Sequence, residues 1–458
     1  MSTSTPAVTP HMIVDEGLGN TYYLLDLGDG SALAVDPPRD LRAVVAAADR
    51  HGLRIRFAAD THLHADFLSG ARQLAHEFGA TILASAAGER AFDHRGLRDG
   101  EEVDLGGLRL TALATPGHTD EHVSFLLGDG DRPLGLFSGG SLIVGSAART
   151  DLLGEDRTDA LTRAQYRSLR RLAEFPPDTA LWPTHGAGSF CSAPPGIERT
   201  STIGRELASN LLLTLDDEDT FVRTLLGSLG TYPDYFGRLT EINRRGPVLL
   251  DTVAAAQLAP LPASLVRRLR ADGAVVVDVR PVRDYAAGHV RGAVSIPLRD
   301  QFATWLGWLV DEPVVIVRND DQDPTDIVWP AANIGVDRIA GELGGGIAAW
   351  AEAGEELVTT MLLPAGKLDP DRHRIVDVRQ DAELAAGRLP RVGHTELGAL
   401  HGHELAPTGG PVVTMCGHGE RAASAASLLE RQGHTDLAIV EGGPDDWARS
   451  TGHQLETN

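Results

Sequence analysis

Residues 411–421 read PVVTMCGHGER, an apolar run (Val412, Val413, Thr414, Met415) that ends at Cys416 and passes through a Gly-rich turn to Arg421. An Ala-rich stretch with helical spacing follows. Strand, loop, helix is the arrangement that aims successive backbone N–H groups at one point and sets the positive end of a helix beside it. A thiol held there loses its proton readily and becomes a nucleophile. Gly417, His418, Gly419 and Glu420 supply the amides, two glycines give the backbone freedom a tight cradle needs, and Arg421 is placed to close it. The chain holds two cysteines in 458 residues. Cys416 and Arg421 are therefore the expected catalytic pair.

Working outward, the strand before this loop has a counterpart. PVVIV at 313–317 matches PVVTM at 411–415. AVVVDVRPVRDYAAGHVRGAVSIP at 274–297 matches HRIVDVRQDAELAAGRL at 373–389, and LGGGIAAW, ending at Trp350, matches EGGPDDW, ending at Trp447. The period is near 100 residues, so each copy is a domain rather than a solenoid unit. Strands alternate with helical patterns in both, which predicts a mostly parallel α/β sheet. Counted from the matched strand, Arg318 stands where Cys416 does. RNDDQDPTD lacks both the thiol and the glycines, so the first copy is read as a structural spacer or docking surface.

The first half has another pattern. Two strands flank the Gly28-Asp29-Gly30 turn, a short strand runs from Ile55 into THLHADF, a helix covers 70–78, and further strands end in TPGHTDEH and WPTHGAG. Strands that repeatedly end in His and Asp loops point to one site assembled from loops. His62, His64, Asp66, His118 and His185 are its candidates, since neutral imidazoles are natural metal ligands. Residues 198–246 read as helical and polar-faced, followed by an Ala/Leu/Pro-rich linker at 247–262.

On the VDVR strands, the GHVRGAVSIP segment and the CGHGERA loop, both C-terminal copies resemble the rhodanese fold. The His motifs resemble the metallo-β-lactamase αββα sandwich. The whole chain resembles the persulfide dioxygenase–rhodanese fusions, and TSTIGRELASN…TYPDYFGRLTEINRRG supports that narrower match. The expected class is an α/β multidomain protein: 1–250 metallo-β-lactamase-like with a helical extension, 255–358 a rhodanese-like copy lacking the cysteine, and 360–458 a rhodanese domain with Cys416.

The resemblance implies a rhodanese-type sulfurtransferase, carrying sulfur as a Cys416 persulfide. It also implies a persulfide dioxygenase that holds one Fe(II) by two histidines and one aspartate. Two family positions are changed. Phe67 stands where the family has His, and Gly140 where it has the ligand Asp, so His62 and His118 map onto the two histidines and the carboxylate is missing. Three outcomes follow: His64 swings in as a third neutral ligand; Asp66 or His185 supports a differently placed metal, Zn(II) being the alternative ion; or the domain binds no metal and serves as a thiol-binding module. A glyoxalase-type thioester hydrolase is the third class, and it needs a hydroxide-generating metal pair. By the same resemblance Arg149 pairs with a carboxylate of the thiol substrate, and Cys191 passes sulfur towards the metal.

The formal net charge of −23 argues against nucleic acid and anionic membranes as partners. The start, MSTSTPAVTPHMIVDEG, lacks the basic-then-apolar pattern of a secretory signal, and no stretch is apolar for long enough to span a bilayer. Two distant cysteines make no disulfide framework. The expectation is a cytoplasmic homo-oligomer in hydrogen sulfide metabolism, acting on a low-molecular-weight thiol persulfide with thiosulfate and sulfite.

Overall fold

The structure, a computed structural model, describes residues 8–192, 197–251, 257–400 and 411–457. It divides into two compact units, one built mainly from residues 1–251 and the other from the remainder.

The first unit contains two six-stranded sheets. One runs, edge to edge, through His11–Asp15, Asn20–Asp26, Ser31–Val35, Arg54–Ala59, Thr81–Ser85 and Arg95–Leu97. The other runs through Ser201–Thr202, Ala180–Pro183, Arg132–Gly139, Val123–Asp129, Arg109–Ala114 and Glu102–Asp104. Strand Asn20–Asp26 shows how the layers are specified. Its side chains alternate between two faces, and both faces are apolar. Tyr23 and Leu25 join Phe125, Phe137 and Trp182 in the core between the sheets. Tyr22 and Leu24 point the other way and pack with Val44 and Leu74 of helices Arg42–Arg50 and Ala71–Phe78. On the outer face of the second sheet, Leu169 and Leu172 of helix Glu155–Leu172 pack with Leu136 and Leu181. The layers are therefore αββα, as expected.

The segment read as polar-faced helix holds four helices within 203–245. It is more apolar than that reading: Phe221, Leu225, Phe236 and Leu239 are fully buried. Residues 252–256 of the expected linker lie outside the described residues, and its far end is not linker, because Pro260–Leu261 pairs in parallel with Glu342–Leu343 as an edge strand.

The second unit carries two five-stranded parallel sheets with one shared strand order. The first runs Pro260–Leu261, Ile339–Leu343, Val314–Val317, Val275–Asp278, Val294–Ser295; the second runs Met361–Pro364, Leu437–Glu441, Val412–Met415, Arg374–Asp377, Gly393–His394. Register makes the repeat residue-specific. Asp278 pairs with Val317 in one copy and Asp377 with Met415 in the other, so Arg318 and Cys416 are the equivalent next residues. No helix among the described residues is long and apolar enough to cross a membrane.

Candidate functional sites

At the C-terminal ends of the first unit's strands, loops bring His62, His118 and His185 together. One ring nitrogen of each lies within 4.8 Å of the others, and all three rings are buried. The surrounding hydrogen bonds fix which nitrogen faces inward. Thr61 Oγ1 donates to Asp36 Oδ2 at 2.8 Å, so it accepts from His62 Nδ1 at 2.9 Å. His118 Nδ1 donates to the Arg149 carbonyl at 2.7 Å, and His185 Nδ1 to Asn20 Oδ1 at 2.8 Å. Each Nδ1 therefore carries the proton, and each Nε2 presents a lone pair. The Nε2 atoms of His62 and His185 face each other at 3.3 Å, and His118 Nε2 has no hydrogen-bond partner among the described residues.

Burial, reinforced by the neighbouring imidazoles, holds the rings uncharged. His118 and His185 are pushed down to about 3, and His62 lies well below its usual range. Converging lone pairs that no proton neutralises are unfavourable without a cation between them. Three neutral imidazoles with fixed outer partners suit Zn(II) or Fe(II), so the residues present fit a metal.

Gly140 explains why a third histidine stands where the two-His, one-Asp expectation has a carboxylate. A Cβ there would lie 2.5 Å from His118 Cδ2 and 3.1 Å from His185 Cδ2. The rings have closed over the position where the family's aspartate would project.

His64 belongs to a neighbouring group with Asp66 and His185, again within 4.8 Å. Its Nε2 bonds Asp36 Oδ1 at 3.1 Å, leaving Nδ1 without a hydrogen-bond partner among the described residues. Burial would discharge both partners, but their mutual attraction prevails: His64 is raised, and Asp36, also bonded by Thr61 and Thr184, is held at about 2. Phe67 stacks on the His64 ring at 4.1 Å, an apolar wall where a second-site ligand would stand.

Two expectations for this unit change. Each guanidinium nitrogen of Arg149 already donates to the protein: to both Asp151 oxygens (2.7 and 2.8 Å) and to the carbonyls of Phe190 (3.0 Å) and Gly230 (2.8 Å), with Tyr232 stacked beneath. It clamps three loops, and its carbonyl orients His118; it is not free for a substrate carboxylate. Cys191 does sit beside the cluster, but burial and the Asp66 carboxylate push its thiol well up, so it is held as S–H rather than as a sulfur-carrying thiolate.

In the C-terminal copy, Cys416 follows strand Val412–Met415 and precedes helix Glu420–Arg431. Gly419 N–H donates to Cys416 Sγ at 3.1 Å. Gly419 has φ +118, a conformation that favours glycine, and its turn starts the helix. Arg421 does not close the ring on sulfur as expected; it forms a bidentate pair with Glu383 at 2.5 and 2.7 Å. A glycine not singled out in the sequence completes the wall. A Cβ on Gly443 would lie 2.2 Å from the Gly417 carbonyl oxygen, so the turn after strand Leu437–Glu441 packs its backbone directly on the cysteine loop. His418, Gly419 and Glu420 line a cavity of about 490 Å³ that also touches the first copy.

At the equivalent place in the first copy, Arg318 pairs with both oxygens of Glu342 and donates to the Asn319 and Gln322 carbonyls. A salt bridge fills the place of the thiol.

The sequence reading also passed over Asn20, Asp36 and His122. Asn20 donates to Asp66 at 2.7 Å besides holding His185. His122 Nε2 accepts from the Gly140 amide at 3.0 Å while its ring stacks on His62. The second histidine of TPGHTDEH and the aspartate ending the Val35-Asp36 strand were the available signals.

Comparison with known proteins finds two families along the chain. The rhodanese-like domain matches residues 261–353 and 364–450, and the metallo-beta-lactamase superfamily matches 14–185. A hydroxyacylglutathione hydrolase of Methylococcus capsulatus is 32% identical over 43% of this chain and 78% of its own. The mitochondrial persulfide dioxygenase ETHE1 of Homo sapiens is 29% identical over 46% of this chain and 76% of its own. A crystal structure titled metallo-beta-lactamase, from Staphylococcus aureus subsp. aureus COL, superposes with a TM-score of 0.65 at 29% identity, covering 73% of this chain and 98% of that one.

Proposed function

The chain belongs to the metallo-β-lactamase superfamily and joins that domain to two rhodanese-like domains, as persulfide dioxygenase–rhodanese fusions do, and from that premise we propose that it transfers sulfane sulfur on Cys416. The supporting observation is the Gly419 N–H donated to Cys416 Sγ at 3.1 Å, at the start of helix Glu420–Arg431. That donor and the helix end favour negative charge on sulfur. The Cys416 thiolate attacks the outer sulfur of thiosulfate. The S–S bond breaks, its electron pair leaves with sulfite, and Cys416 becomes a persulfide. Cyanide then takes the outer sulfur as thiocyanate and restores the thiolate. Run backwards with sulfite, the first step yields thiosulfate.

The first unit would supply that sulfite. His62, His118 and His185 would hold a metal, which when bound would supply the redox chemistry by which O₂ and water convert a low-molecular-weight thiol persulfide to thiol and sulfite. Thr61, Asn20 and the Arg149 carbonyl keep the three rings in one tautomer. Thioester hydrolysis on a metal pair is the weaker reading, because Phe67 and Gly140 remove ligands and His64 is paired with Asp36.

Cys416→Ser should reduce thiosulfate:cyanide transfer to background; unchanged turnover would remove the proposal. For the first unit, stoichiometric iron and O₂ uptake on glutathione persulfide are expected, and metal-free active protein would overturn that half.

A further inference from the structure

The cavity beside the cysteine loop has two sources. One wall is the cysteine loop and the turn at Glu441–Gly442; the opposite wall comes from the cysteine-less copy, with Pro281, Val282, Leu298 and Arg299. Arg299 stands out among the nearby arginines. Arg421 is paired with Glu383, Arg280 with Asp278 and Arg283 with Glu441. Arg299 is half-buried, yet its side chain makes no hydrogen bond or ion pair with the described residues. Burial lowers its guanidinium below the usual range, and the Glu420 carboxylate of the cysteine loop opposes this. A guanidinium stays protonated at neutral pH and matches oxyanions with a planar fork of donors.

The segment that carries Arg299 is tied to the helix that begins at the cysteine loop. Ser295 N–H donates to Ser427 Oγ at 3.0 Å, and Gly292 N–H and His289 bond Glu430 at 2.7 and 3.0 Å. The chain then reaches Arg299 with Ile296 and Leu298 bonded to Asp278 and Val279.

We propose that Arg299 of the cysteine-less copy binds the sulfonate-like end of the anion that reacts at Cys416, so that the two copies together form one substrate site. The ligand class is a small sulfur oxyanion, thiosulfate as donor or sulfite as acceptor. The first copy is then a binding half rather than a spacer. This rests on the sulfurtransferase reading, with Arg299 holding the SO₃ group while the S–S bond breaks and sulfite departs.

Arg299→Gln should raise the KM for thiosulfate about ten- to a hundredfold, the loss expected for one charge-assisted contact. The KM for cyanide, which carries no sulfonate, should not move, nor should alkylation of Cys416 by neutral iodoacetamide. Arg299→Lys should recover part of the loss. An unchanged thiosulfate KM in Arg299→Gln overturns the proposal. So does a loss that iodoacetamide alkylation shares and lysine does not rescue, since Arg299 would then only support the loop. Calorimetric binding of sulfite to Cys416→Ser, with and without Arg299→Gln, separates the two claims. Arg299-dependent binding, together with a wild-type chain that transfers no sulfur, would end the sulfurtransferase reading and keep the anion site. Binding that ignores Arg299 would end this proposal.

Discussion

At the histidine cluster, segments as distant as Asn20 and His185 each contribute one group, and the groups hold one another through shared hydrogen bonds. At Cys416 the sulfur, the amide that faces it and the helix start all come from residues 416–420. The first arrangement is cooperative. Asp36 alone touches Thr61, His64 and Thr184, so a change in one loop reaches several rings. The second is local, with one outside wall at Gly443 and a second at the neighbouring copy. A cooperative centre should lose its function through substitutions well away from the ligand atoms; a local one should yield only to changes in the loop or its walls.

His185→Ala tests the cooperative side most sharply. It removes one of three converging nitrogens, and the alternative third ligand, His64, is bonded to Asp36. Metal affinity should fall by more than a hundredfold, read by elemental analysis after dialysis, while thiosulfate:cyanide transfer is untouched. Asn20→Ala, which only orients His185, should cost about ten- to a hundredfold in affinity. If Asn20→Ala has no effect while His185→Ala does, the rings are held independently and the histidine centre is not cooperative.

Acid should separate the centres next. His118 and His185 are held at about 3 in the folded chain, against an ordinary 6.5. Between those values the unfolded chain binds more protons, so stability is complete above pH 6.5 and is lost as the pH falls. His64, raised by Asp36, works the other way, favouring the folded chain below its own pKa. The lowered rings outnumber it. Metal-free protein should therefore lose about 2 kcal/mol per lowered ring between pH 6.5 and about pH 5, at 1.36 kcal/mol per unit. Urea unfolding followed by hydrogen exchange of the first unit's amides should show this fall, and a flat profile would contradict the neutral rings of His118 and His185.

This difference in construction also governs what could be read in advance. The Cys416 loop is contiguous, so its strand, turn and helix announce themselves in a dozen residues. The repeat located Arg318 by counting, and sheet register agrees. At the cluster, the histidines were visible as types but their grouping was not. That His185 joins His62 and His118 depends on Gly140 leaving room for rings, a packing fact no local pattern carries. Arg149 and Arg421 were misjudged for one reason. An arginine near a site reads as a ligand, of the substrate for Arg149 and of the sulfur for Arg421, until its partners, Asp151 and Glu383, are known, and Glu383 is 38 residues away in sequence. Gly443 was invisible as a wall because what matters there is a missing atom.

The Gly443 wall gives the mildest and most selective test. Its φ is −144, extended backbone that any residue adopts, so alanine carries no conformational penalty of its own. The penalty is steric: the new Cβ would sit 2.2 Å from the Gly417 carbonyl oxygen, and that atom belongs to backbone that can yield only by moving the loop. Overpacking of this kind costs about 1–3 kcal/mol. Much of it should appear as a displaced Gly419 amide, hence as slower sulfur transfer with the thiosulfate KM little changed, because the Arg299 wall is untouched. Metal content should stay the same. Gly443→Ala with full kcat would mean that the loop tolerates displacement, and that the sulfur is not held by a fixed amide after all.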